Sequence, residues 1–213
     1  MTISTSSGAS ARLLLPTREL KVAAIILAVG AMASLAVLAA DQLWGIDHYD
    51  LVRDPNAIAN NPNYFGLVSN LGIVLWMVGA VGALQAHVAL KGGPGRNFGS
   101  LLLFGGAFSA VMGLDDLFML HESIATFGIP EIVVLVPHAL LLAMLCHQAW
   151  LLRSATPWLL LAACVGAFGL SMAVDVYPVD FGGQVFIEES FKLLGIMFLT
   201  AYLVMTSQKA LRA

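Results

Sequence analysis

Hydrophobic residues in this chain neither alternate nor recur along one helical face; they run in six long blocks separated by short polar interruptions. The blocks fall at about 20–40, 64–90, 98–121, 130–152, 157–176 and 184–206. Each is long enough, at about 1.5 Å per residue in a helix, to cross roughly 30 Å of hydrocarbon. A helix that is apolar all round belongs in lipid or in a core, not on a wet surface. The pattern predicts an all-α, polytopic integral membrane protein: a bundle of six transmembrane helices with short loops and antiparallel neighbours. Residues 1–19 read as a flexible polar tail, 20–206 as one membrane domain with an outer loop at 41–63, and 207–213 as a second tail.

Composition strengthens this reading. The 213 residues are 59% hydrophobic and only 11% charged, with a mean hydropathy of +0.87, which excludes an ordinary soluble domain. No nucleotide-binding glycine loop and no basic stripe occurs, so neither nucleotide nor nucleic acid is an expected partner. The stretch VLAAD at 37–41 resembles a leader-cleavage site, but the apolar run before it is longer than a leader's, and it reads as a retained anchor. Cys146 and Cys164 both fall within spans, where a structural disulfide is not expected.

Charge then gives an orientation. Arg12, Arg18, Lys21, Lys91, Arg96, Arg153, Lys209 and Arg212 fall on one side of the spans, and Arg53 alone lies in a loop on the other. Cationic loops are retained in the cytoplasm, which predicts both termini inside and a multi-pass protein of a bacterial-type inner membrane. Trp150 and Trp158 would sit in the inner aromatic belt, with Trp44, Tyr49, Tyr64 and Tyr177 in the outer one. The acids are sorted the opposite way: of 13, only Glu19 is on the inner side. The Asp-, Asn- and Pro-rich segment 41–63 is loop chemistry, and it also has the makings of a lid.

The remaining acids are not loop decoration. The third block ends in GLDDLFMLHE, residues 113–122, and the sixth begins QVFIEESFK, residues 184–192. Counting inward at helical rise, Asp115 is about 10 Å deep and His138 and Lys192 are each about 12 Å deep. Asp116 shares a face with Met112, Ser109 and Gly105, a small-residue stripe of the kind that lets helices approach, whereas Asp115 shares one with Glu122. Glu188, Lys192, Gly195 and Tyr202 form a stripe on the sixth block, in the favoured order for an i, i+4 Glu–Lys pair. His138 lines up with Glu131, and Asp175 with Ser171 and Cys164.

A single charge in hydrocarbon costs at least about 2.5 kcal/mol, so several together predict a shared hydrated or metal-filled pocket open to the outer face. Carboxylates with imidazole suit Zn, Fe or Mn, and two ions in a helix bundle is an established arrangement for such ligands. On that basis Asp116, His138, Glu188 and Glu189 are the first expected ligands, with His121 and Asp175 beside them, and Lys192, Asp115 and Glu122 as proton-handling groups. The expected function is a metal-dependent membrane enzyme, hydrolase or oxidoreductase, acting on a lipid or apolar small molecule. No Glu-x-x-His or His-x-x-x-His spacing is present, so no family is implied. Because Lys192 already balances charge, proton- or cation-coupled transport through the same carboxylates is the alternative. Haem held by His87 and His147, or a non-catalytic subunit of a homo-oligomer or larger membrane complex, completes the set. Polar candidates in the inner halves of the spans are few: Gln85, His87, Cys146, His147, Gln148 and Cys164.

Overall fold

The structure, a computed structural model, describes residues 17–52, 55–62, 64–90, 94–130, 132–176 and 184–212. Helices carry all of its regular structure, and no strand occurs among the described residues. The chain divides into two compact units, one ending at Phe65 and one beginning at Gly66. In the first, α1 spans Thr17–Trp44, α2 His48–Val52 and α3 Pro55–Ile58. Helix α1 ends where Gly45 takes the left-handed conformation (φ 66°) and donates its N–H to the Asp41 carbonyl, a C-terminal stop that glycine makes at no steric cost. Ile25, Leu27, Met32 and Leu35 on α1 are exposed, as side chains facing lipid would be.

The second unit contains α4 (Leu67–Ala89), a 3-10 turn at Pro94–Phe98, α5 (Gly99–Phe118), α6 (Leu120–Ser123), a second 3-10 turn at Ile124–Phe127, α7 (Ile132–Leu151), α8 (Trp158–Val176) and α9 (Gln184–Arg212). Helix α4 packs on α5 and α9, α8 on α9, and α7 on α5. One end of this bundle holds Glu188, Glu189 and Asp175 and is called here the acid-rich end; the other holds Arg153, Lys209 and Arg212 and is called the basic end.

The six apolar blocks are six helices long and apolar enough to cross a membrane. In lipid, where no hydrophobic force separates helix from tail, shape fit and interhelical hydrogen bonds are what would hold such a bundle. Gly113 lets α4 and α5 touch: a Cβ there would land on Met77 and Trp76. At Gly79 a Cβ would come within 3.0 Å of the Ser109 hydroxyl. Around these close approaches the fully buried Trp76 stacks on Phe168 (5.8 Å between centroids, 2° between planes) and meets Phe108 edge-on. Two hydroxyls staple neighbours to α4: Ser109 donates to the Trp76 carbonyl (2.8 Å) and Thr200 to the Leu75 carbonyl (3.0 Å). Such bonds average about 0.6 kcal/mol each in membranes, enough to fix helix rotation once packing has set the distance.

The helix ends differ from the apolar blocks in three main places. The first helix runs from Thr17 to Trp44, into the stretch expected to be outer loop. The sixth helix continues to Arg212. The third stops at Phe118, because Met119 turns left-handed (φ 48°, ψ 45°) and a separate turn, α6, follows. Apolarity alone carries no signal for that break; its cause lies in the contacts of Asp115.

Candidate functional site

Asp116 sits in the last turn of α5 with its side chain only 5% exposed. Its Oδ2 accepts the indole N–H of Trp76 on α4 (2.9 Å), and its Oδ1 lies 3.1 Å from Lys192 Nζ on α9. A buried carboxylate keeps its charge only with a cation and donors at hand, and here each oxygen has one from a different helix. This overturns the expected Glu188–Lys192 pair. Glu188 is a partly exposed neighbour on the same helix and can be hydrated, whereas the Asp116 side chain is nearly sealed from bulk solvent, so the ammonium goes across to α5. Beside the pair is a cavity of about 10 Å³, bounded by Ser69, Gly72, Asp116, Glu189 and Lys192. That is roughly the room one water molecule needs.

Asp115 is rotated about 100° around the same helix and is equally buried, 5% by side chain. Its Oδ1 accepts the backbone N–H of His121 (2.9 Å) and its Oδ2 accepts His121 Nδ1–H (2.9 Å). The carboxylate thereby caps the first turn of α6 and pulls the chain back on itself. That clamp explains the left-handed Met119, a conformation costing a side-chain-bearing residue about 1–2 kcal/mol. From the other side comes His138 of α7, 8% exposed, with Nδ1 donating to the Val134 carbonyl one turn back. Its Nε2 lies 3.5 Å from Asp115 Oδ2 and, among the described residues, has no hydrogen-bond partner. Asp115, His121 and His138 thus form one cluster, and Asp116, Lys192 and Trp76 another.

The single pocket expected from sequence is therefore two neighbourhoods sharing one helical turn. Glu189 borders the first; Glu188 stands within electrostatic range of Asp175, Glu189 and Lys192. Asp175, at the last turn of α8, is exposed. The side chain of Glu122, and Glu131 altogether, lie outside the described residues. Among those described, no three His, Cys, Asp or Glu side chains are arranged to hold a metal ion. His87 donates Nδ1–H to the Gly99 carbonyl (2.8 Å), and His147 is exposed on α7; α4 and α7 each pack on α5. Cys146 and Cys164 are free thiols. In the first unit, His48 bonds Asp41 (2.8 Å), and that bond, with Asp47 nearby, holds the imidazole pKa above its ordinary 6.5.

Sequence reasoning missed three things. Trp76 was passed over as one more apolar residue, although its indole N–H is the donor that completes Asp116. Ser109 entered only as a small residue, and Thr200 not at all. At the basic end, Tyr202, Thr206 and Ser207 are buried hydroxyl-bearing residues, so the basic-end halves of these helices are less apolar than they read. The spacing 202, 206 on one face of α9 was the available signal.

Residues 20–206 match the family described as a domain of unknown function (DUF8692), and the chain belongs to that family. No curated protein and no solved structure matches it.

Proposed function

We propose that this member of the DUF8692 family is a proton-coupled membrane protein, moving a proton, or a small cation in its place, through the α4–α5–α9 seam. The observation that carries the reading is the Asp116–Lys192 pair, buried inside a span and bordering a water-sized cavity with Glu189. An ionisable residue held within a span at the cost of desolvation is retained for what its charge does, and a carboxylate–ammonium pair can exchange a proton or yield to a competing cation. Toward the basic end the same seam carries the hydroxyls of Ser109 and Thr200, side chains that both donate and accept. The distribution of Lys and Arg supports an inner-membrane protein with both termini in the cytoplasm, so that the acid-rich end takes protons from outside.

The test is proton movement in proteoliposomes under an imposed pH gradient, with potential clamped by a potassium ionophore. Wild type moves protons. The doubly neutral variant Asp116→Asn/Lys192→Met, which keeps the helices but removes both titrating groups, loses that movement by on the order of 100-fold. Equal rates in the two proteins overturn the reading.

A second reading rests on one observation: Asp115 faces two imidazoles, and a carboxylate with two histidines supplies the donor types for Zn or non-haem Fe once their mutual hydrogen bonds give way to an ion. A metal enzyme at that cluster, acting on a lipid or apolar small molecule, would hold stoichiometric metal by elemental analysis and lose it in His138→Ala. It would keep that metal in the Asp116/Lys192 variant.

A further inference from the structure

At the opposite end of the bundle the connection between α7 and α8 faces the last two turns of α9 across an open cleft of about 680 Å³. Its apolar lining is Ala155, Pro157 and the half-exposed Met205, with the buried Thr156 beside them; its exposed polar rim is Gln208, Lys209 and Arg212. Positions 205, 209 and 212 stand at i, i+4 and i+7, so one face of α9 presents an apolar residue toward the bundle and two cations toward its end.

Among the described residues the charge here has no acidic partner. Arg153 is engaged locally, its guanidinium 4.6 Å over the Trp150 ring and its Nη1 donating to the Trp150 carbonyl (3.0 Å). Lys209 and Arg212 are exposed and, among the described residues, have no carboxylate within ion-pair distance. No acidic residue occurs in 67–114, 132–174 or 190–212, the stretches that build this end of the second unit, so no rearrangement of those stretches supplies one. The level of the cleft is marked by Trp150 and Trp158, both about half exposed or more at the ends of α7 and α8, where indoles settle at the headgroup layer.

We infer that this cleft binds the phosphate-bearing headgroup of an anionic phospholipid from the adjacent leaflet. Lys209 and Arg212 hold the phosphate, and the Met205–Pro157 floor receives the first carbons of the lipid. The volume suits a glycerophosphate headgroup, and basic pockets between helices at a membrane face are the usual form of such sites. A lipid is preferred over free anion because the cleft opens at the depth where lipid phosphates lie and its floor is apolar.

The test uses the full chain in mild detergent, with thermal unfolding followed as phosphatidylglycerol is titrated in, beside phosphatidylcholine and beside inorganic phosphate. Wild type shows saturable stabilisation by phosphatidylglycerol alone. Lys209→Gln/Arg212→Gln needs about 30-fold more of it, at about 1 kcal/mol of attraction lost per cation near the surface. Arg96→Gln, which removes a cation of the α4–α5 connection outside the cleft, leaves the titration unchanged. Three results overturn the inference: no preference of the wild type for phosphatidylglycerol, an equal loss in Arg96→Gln, or equal stabilisation by inorganic phosphate, which would mark a site for a soluble anion.

Discussion

Asp115 and Asp116 are neighbours in sequence, equally buried, and differently used. Asp116 reaches across the bundle: its partners are on α4 and α9, 40 residues before it and 76 residues after it, and both of its oxygens are taken. Asp115 is satisfied mainly by its own chain six residues on, and what it does not use locally it turns toward a histidine whose Nε2 is otherwise unpartnered. One carboxylate is thus a tertiary clamp with an ammonium at its centre, and the other is a local cap with a spare edge. The difference follows from about 100° of helical rotation per residue, which aims adjacent side chains at different neighbours. It teaches that a pair of acids in a span need not be a pair in function.

The sharpest break of that comparison is Lys192→Met. It leaves Asp116 with only the indole N–H, and the variant should lose about 3 kcal/mol of unfolding free energy in detergent, the cost of an uncompensated buried charge. Adding Asp116→Asn should restore most of it, since two neutral groups of similar shape carry no charge to desolvate. Single and double variants with equal losses would mean that Lys192 matters through packing alone.

Asp115→Asn should cost less, about 1–2 kcal/mol, because the amide oxygen still accepts one His121 bond while the second becomes a mismatch. The loss should also be local: hydrogen exchange should quicken at residues 119–123 and leave the α4–α9 seam unchanged. Faster exchange along the seam would dissolve the distinction between the two aspartates.

The smallest effect, and of opposite sign, is expected from Met119→Gly. Met119 is exposed and left-handed. Relief of about 1–2 kcal/mol of conformational cost, less the chain entropy glycine brings, should leave the protein about 0.5 kcal/mol more stable. A destabilised variant would show that the Met119 side chain, rather than the Asp115 clamp, holds the turn.

Much of the architecture was legible without coordinates. Six blocks of continuous apolar residues allow no other regular structure in lipid than helices, because every backbone N–H and C=O must be paired within its own segment. That Asp115, Asp116, His138 and Lys192 fall on membrane-length helices was also legible, since each lies within an apolar block. What composition could not carry was partnership. Glu188 precedes Lys192 at the favoured spacing, yet the ammonium serves Asp116, because a group sealed from water competes for a cation more strongly than one that is wet. Trp76 carries no charge and no motif, yet its N–H completes the site.

The sequence by itself determined the all-helical class and the number of membrane-length helices, for these depend on apolarity and length, which are local and additive along the chain. Only the tertiary structure decided which carboxylate meets which cation, where the third membrane helix breaks, and that one acidic motif divides into two sites. Those outcomes depend on helix rotation and on competition for desolvated partners, and both are settled only when residues far apart in the chain come within about 3 Å of one another.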